Sequence, residues 1–284
     1  MLLLLGDSVY MDFCFGDRRL GWPRKAPNQE FAGALYSRYK RQWEVASFRR
    51  LMAKRPQLGM TWDDHDFAWN GSRGAGTEKK KAVPTDKRAI SRALFLQFRK
   101  SLADNVATYP AQPALSSMTV STETGIQQSF DREGVRFVML DGRSFREDPN
   151  PMPDAEMHGR PQREWLAQLL ETSTGLNIVG SGSVMTSSGE SWDQYLDYGW
   201  LLQQTNRKII VLTGDVHHNV PPIRHSKSVY EITSSGAARP PCQVLIFHVA
   251  GGSGNFGLIN TTPELSVTLY STEMPGGSNY PLKF

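Results

Sequence analysis

Four times in this chain a short, nearly continuous apolar run ends in aspartate. Leu2 to Gly6 leads to Asp7, Leu58 to Trp62 leads to Asp63 and Asp64, Phe137 to Leu140 leads to Asp141, and Ile209 to Gly214 leads to Asp215. Short apolar runs without alternation are the signature of strands covered on both faces. Helix-like segments lie between them. One starts near Thr85 as N-cap and carries Ala89, Ala93, Leu94, Phe98 and Leu102 at helical spacing; others span about Pro161 to Leu170 and Asp193 to Gln204. The alternation predicts an α/β fold with a largely parallel sheet, whose ligands collect beyond the carboxyl ends of its strands. Four acidic strand ends would then meet at one edge. Each aspartate taken alone is equally readable as a cap on the turn that follows it.

The chain has 284 residues, 39% of them hydrophobic, which is enough for a large core and suits one α/β domain. The C-terminal stretches Val244 to Phe247 and Leu265 to Tyr270 read as further strands of a second sheet. A formal charge of +4 suits anionic substrates but decides nothing by itself. Cys14 and Cys242 are too few for a disulfide framework and match no metal-binding spacing. The run Met1 to Leu5 is too short, and lacks the basic flank, for a signal peptide. No stretch approaches the about 18 apolar residues of a membrane span. As written, the chain reads as cytoplasmic.

Two clusters carry chemistry. Asp63-Asp64-His65-Asp66 places three carboxylates and an imidazole in succession, a density that calls for cations or strong donors. In Gly214-Asp215-Val216-His217-His218-Asn219, Asp215 and His217 stand two apart and point the same way in an extended segment, as a pair of metal ligands would. His217 or His218 taken as a lone histidine at a strand end reads more readily as a hydrogen-bonded polar residue.

Taken in order, Gly6-Asp7-Ser8-Val9-Tyr10, Trp62-Asp63-Asp64-His65-Asp66, Leu140-Asp141-Gly142-Arg143 and Thr213-Gly214-Asp215-Val216-His217 resemble the motifs of the alkaline phosphatase D (PhoD-like) family. Glu164-Trp165-Leu166, Ile232 to Gly236 and Asn255 to Leu258 extend the resemblance over nearly the whole chain. It implies a metallophosphoesterase fold, a two-sheet α/β sandwich flanked by helices, and metal-dependent hydrolysis of phosphate monoesters or diesters. By that resemblance Asp7, Tyr10, Asp64, Asn70, Asp215 and His217 are the expected metal ligands. His65 is the expected proton donor to the leaving group, Asp66 the acid that orients it, and Arg143 a forked contact to phosphoryl oxygens. For Arg143 a salt bridge to Asp141 or another acid carries equal weight. Two adjacent cations lower the pKa of a shared water from about 15.7 to about 7 and clamp the phosphoryl group.

The match departs from the superfamily in three places. The first metal motif and the family's Gly-Ser-Cys segment belong upstream of Gly6, so the reading expects an N-terminally incomplete domain lacking a strand and one ligand. A histidine common between the third and last motifs is replaced by Gly and Ser between Val179 and Val184. Asp215 stands where an imidazole is usual, which makes the site harder and favours Ca and Fe, with Mn or Zn as alternatives. Lys79-Lys80-Lys81 reads either as a guide for an anionic substrate or as a mobile solvated loop. The tryptophans read as core, with Trp62 and Trp69 expected to line the pocket. The expected substrate is a small-molecule or lipid-like phosphate ester; nucleic acid is not expected, because bare acidic strand ends repel it. The rival reading is a catalytically inactive protein of the same fold that binds phosphate or a partner.

Overall fold

The structure is a computed structural model that describes residues 1–12, 22–54, 57–119, 124–149, 154–236 and 254–284. Its elements run β1 (Leu2–Leu5), α1 (Asn28–Glu44), α2 (Ala46–Met52), β2 (Leu58–Thr61), α3 (Asp64–Phe67), α4 (Thr85–Ala103), α5 (Leu115–Met118), β3 (Gln128–Arg132) and β4 (Val135–Met139). They continue with α6 (Arg160–Thr172), β5 (Leu176–Ser181), α7 (Leu196–Leu202), β6 (Lys208–Thr213), β7 (Asn219–Arg224), β8 (Val229–Ser234), β9 (Phe256–Asn260), β10 (Ser266–Tyr270) and β11 (Ser278–Pro281). All four runs that end in aspartate are strands. They do not share one sheet: β1 and β2 form a parallel pair of their own, while β4 and β6 belong to a six-stranded sheet ordered β3-β4-β5-β6-β8-β7. The pairs β4-β5, β5-β6 and β6-β8 are parallel, and the flanking β3 and β7 are antiparallel. The strands β11-β10-β9 make a third, antiparallel sheet.

The unbroken leucines of β1 follow from burial on both faces. Side chains alternate along a strand. Leu3 and Leu5 pack with Phe137, Ile178, Ile210 and Leu212 of the large sheet and with Val267 and Leu269 of β10. Leu2 and Leu4 face the other way, into a core built by Met60, Trp62 and helices α1 and α4. Helix α1 contributes Phe31, Leu35, Tyr39 and Trp43, and α4 contributes Ile90, Leu94, Phe98 and Leu102, each set at helical spacing. The opposite face of the large sheet, with Val138, Val179, Ile209 and Val211, is covered by Leu166 and Leu170 of α6 and Leu201 of α7. A mixed α/β protein follows, compatible with an α/β phosphoesterase fold.

Three local expectations are corrected. Thr85 is the first helical residue of α4, with Pro84 before it, so it does not cap the helix with its side chain. The helix expected over 193–204 is broken at Tyr195, which is extended at φ −130 and ψ 154 and separates a single 3-10 turn from α7. Trp62 is wholly buried against Phe67 and Phe95 and lines no pocket. The expected strand Val244 to Phe247 and both cysteines lie outside the described residues. No described helix is long and apolar enough to cross a membrane.

Candidate metal centre

The ends of β1, β2 and β6 are drawn together by close backbone approach. A Cβ on Gly214 would stand 2.4 Å from the Leu5 carbonyl oxygen and 2.8 Å from that of Gly182, both backbone atoms that cannot yield. A Cβ on Gly6 would stand 2.7 Å from Asp63 Cβ, and Gly6 holds φ at +94. The residues that follow are less usual, because Asp7, Asp215 and His217 hold φ at 50, 74 and 60. Left-handed backbone at residues bearing a Cβ costs energy and is concentrated at functional sites. These turns bring the Asp7 and Asp215 carboxylates into one group, with His217 at its edge. Ligand atoms of Asp7, Asp63, Asp64 and Asp215 all lie within 4.8 Å of one another, and those of Asp7, Asp64 and His65 form an overlapping group on the same limit.

So many carboxylates in one buried place repel. Burial, and then Asp64 and Asp63, hold the Asp7 carboxyl well above the usual range. Burial, then Asp63 and Asp64, push Asp215 up to about 7. Asp7 Oδ1 and Asp63 Oδ2 are buried without a hydrogen-bond partner. An unpaired buried carboxylate oxygen is costly, and two of them within one four-carboxylate group fit a hard, oxygen-seeking cation. The donor set therefore suits metal ions of that type.

Arg143 supplies the counter-charge from behind. It is wholly buried: Nε donates to Asp63 Oδ1 at 2.6 Å, Nη1 to Glu190 Oε2 at 2.6 Å, and Nη2 to Ser183 Oγ at 3.2 Å. Its fork is used inside the protein, in the salt bridge to another acid that the sequence offered as the alternative reading. Burial would discharge it, yet Asp63, Asp64 and Glu190 raise it well above its ordinary value. Arg146 joins the same carboxylate, with Nη1 3.3 Å from Glu190 Oε2. Although burial works against ionisation, Arg143 and Arg146 bring Glu190 down to about 2. Glu190 had no signal in sequence, since it stands 47 residues from Arg143 in a Gly and Ser segment.

The expected partner of His65 is also reassigned. Asp66 turns its carboxylate to the backbone, accepting from Val9 N at 3.1 Å and from Ser8 N and Asp63 N at 3.2 Å. It ties the turn after β1 to the start of α3. Burial outweighs those three hydrogen bonds and pushes it up to about 7. Asp12 takes the orienting place instead, its Oδ1 lying 2.5 Å from His65 Nδ1 while its Oδ2 accepts from Asn70 N at 2.8 Å. The only hint in sequence was its place five residues after Asp7 in the same loop. Burial lowers the His65 pKa, but the Asp12 hydrogen bond and the charges of Asp64, Asp12 and Asp63 carry it up to about 9.

The remaining expected ligands are distributed around this group. Tyr10 donates its hydroxyl to Asp7 Oδ2 at 3.2 Å and lies 2.5 Å from His217 Nε2. Burial and the Asp7 charge keep it a protonated phenol, well above its ordinary pKa. His217 Nε2 is 3.7 Å from Asp7 Oδ2, at the edge of the cluster. Asn70 is exposed at the rim. Asp141, the fourth acidic strand end, stays apart and organises backbone: it accepts from Trp62 Nε1 at 2.7 Å, Ser144 N at 2.9 Å, and Arg143 N and Ile126 N at 3.0 Å.

A family model described as PhoD-like phosphatase matches residues 1–222, which includes every residue of this cluster. The chain belongs to the PhoD-like phosphatase family. No curated protein matches it significantly. For a PhoD-like phosphatase the matched segment ends within β7, so β8 and the β9 to β11 sheet lie beyond it.

Proposed function

We propose that this protein hydrolyses phosphate esters at the carboxylate cluster, using divalent or mixed metal ions. The observation that carries the reading is the pair of buried, unpartnered oxygens, Asp7 Oδ1 and Asp63 Oδ2, inside a four-carboxylate group. Asp7, Asp63, Asp64 and Asp215 would hold the cations, with Tyr10 and His217 beside Asp7 and His65 beside Asp64. Bound there, such ions supply an activated water near neutral pH and neutralise the phosphoryl oxygens. The carboxylate-rich donor set favours Ca, with Fe better served where phenol and imidazole adjoin Asp7.

The chain's own residues do the rest. Asp12 holds His65 through Nδ1, so a proton given to the leaving oxygen departs from Nε2. In the metal-free protein, against burial, the Asp12 hydrogen bond and the neighbouring carboxylates carry this imidazole up to about 9, which favours its protonated form. Arg143 and Ser183 fix Asp63 Oδ1, which aims its other oxygen at the cluster. The substrate in this reading is a small-molecule or lipid-like phosphate ester. In the fold, the β1-β2 pair and the β9 to β11 sheet together form the second layer of the sandwich; the core shared by Leu3, Leu5, Val267 and Leu269 supports that arrangement.

The test is hydrolysis of paired chromogenic monoester and diester substrates by chelator-treated protein after Ca, Mn, Fe or Zn is restored. Turnover that returns with metal and vanishes in Asp64→Ala supports the reading. Absence of turnover with every metal, in protein shown to be folded, contradicts it and favours a binding-only protein.

A further inference from the structure

With Arg143 turned inward, we propose that Lys81 is the side chain that adds to the metal ions' hold on the substrate, by donating to a phosphoryl oxygen. This rests on the phosphoesterase reading above and deepens it. Lys81 belongs to the basic run that sequence alone leaves as either guide or mobile loop. The structure separates the three lysines. Lys79 and Lys80 are exposed on a turn, whereas Lys81 is partly buried and held at both ends. Its carbonyl accepts from Arg73 N at 2.9 Å, in an isolated bridge that pairs Arg73 with Ala82, and the preceding Lys80 carbonyl accepts from Trp69 Nε1 at 2.9 Å. Its ammonium donates to the Asn70 carbonyl at 3.1 Å and stands 3.6 Å from Glu190 Oε1.

That position is beside the cluster. Gly71 N donates to Asp64 Oδ2 at 2.5 Å, and a Cβ built on Gly71 would fall 1.8 Å from Lys81 Nζ. Through these atoms and ordinary bond lengths, Nζ lies no farther than about 7 Å from Asp64 Oδ2. A tetrahedral phosphoryl group spans such a gap, with one oxygen toward the carboxylate cluster and another accepting from the ammonium. The present partners of Lys81 leave it suited to this. A 3.6 Å contact to Glu190 is loose, and Glu190 already holds Arg143 and Arg146 more closely. The side chain is 25% exposed, so it is not sealed in the interior. Gly71 has φ at +69, and its missing side chain leaves the room that the ammonium and Glu190 Oε1 now fill.

The experiment is calorimetric titration of inorganic phosphate into Mn-loaded wild type, Lys81→Met and Lys81→Arg, with thermal melts and KM and kcat for a phosphate ester on the same samples. Lys81→Met is expected to weaken phosphate binding and raise KM by about tenfold each, with kcat within about twofold, since one charge-assisted hydrogen bond is lost. Lys81→Arg is expected to recover most of the phosphate affinity. The affinity of Lys81→Met should also depend less on ionic strength than that of wild type. A Lys81→Met protein that melts lower but binds phosphate like wild type would show that Lys81 only props Glu190, and would overturn the proposal. Lys81→Gln serves the same comparison if the Met variant does not fold. Wild type that neither binds phosphate nor hydrolyses esters with any of Ca, Mn, Fe or Zn would overturn the phosphoesterase reading itself, a result distinguishable from the failure of Lys81 alone.

Discussion

Arg143 Nε lies 2.6 Å from Asp63 Oδ1, and both side chains are essentially out of contact with solvent. A buried pair of this kind is neutral at best when intact, but removing one member strands the other charge in the interior. Arg143→Ala should therefore cost about 3–5 kcal/mol of stability, read as a fall in denaturant midpoint. Arg143→Lys should recover little, because one ammonium cannot serve Asp63, Glu190 and Ser183 in the fork that guanidinium offers. An Arg143→Lys protein as stable as wild type would contradict this account of the pair.

Asp12 gives a second prediction, about acidity. Replacing it with Asn removes the hydrogen-bonded charge that raises His65, so the His65 pKa should fall from about 9 toward its ordinary value. NMR titration of the ring in chelator-treated protein reads this directly. With metal restored, kcat should drop about 10- to 100-fold, in the range typical of lost orienting partners. Asp66→Asn should move the same titration much less, because its carboxylate serves Ser8, Val9 and Asp63.

The pH dependence of the metal-free protein has a definite sign. Asp66 and Asp215 are both raised to about 7 from a usual value near 4, so between those limits the native state binds more protons than the unfolded one. Stability then falls as pH rises through that window. His65 continues the trend, since its contribution is full below about 6.5 and is lost as pH climbs through 9. Glu190 acts oppositely at the acid end: its contribution is present above the unfolded carboxylate range and is lost as pH drops toward 2. Melts of chelator-treated protein should show a maximum near pH 4 to 5 by this reckoning. Added cation should flatten the decline above it, because a bound positive charge favours the ionised carboxylates.

How much of this was legible in the sequence depends on what each residue needs. The four strands were legible, because burial on both faces demands unbroken apolar runs such as Leu2 to Leu5 and Ile209 to Leu212. The acids at their ends were legible as a group. Their separate tasks were not, because those depend on turns and on partners distant in sequence. Asp141 and Asp64 look alike in the chain; one organises backbone around Trp62 and the other joins the cluster. Asp12, and not the adjacent Asp66, reaches the His65 ring. Arg143 turns inward for a glutamate that no motif marks.

Close backbone approach gives a further prediction. In Gly214→Ala the new Cβ meets the carbonyl oxygens of Leu5 and Gly182, so the ends of β1 and β6 must move apart. A loss of about 1–3 kcal/mol is expected from such overpacking. Cation affinity should fall with it, measured by calorimetry at a temperature where the variant remains folded. Unchanged affinity would mean that the contact between these strand ends does not set the spacing of Asp7 and Asp215.

The central claim is that Asp7, Asp63, Asp64 and Asp215 form a cation site that drives phosphate ester hydrolysis. Metal content and turnover should be measured together on chelator-treated wild type and on Asp64→Ala after dialysis against Mn and Ca. The account predicts that wild type regains bound metal and ester hydrolysis in proportion, and that folded Asp64→Ala retains less metal and loses turnover. Equal metal and equal turnover in the two proteins would contradict it.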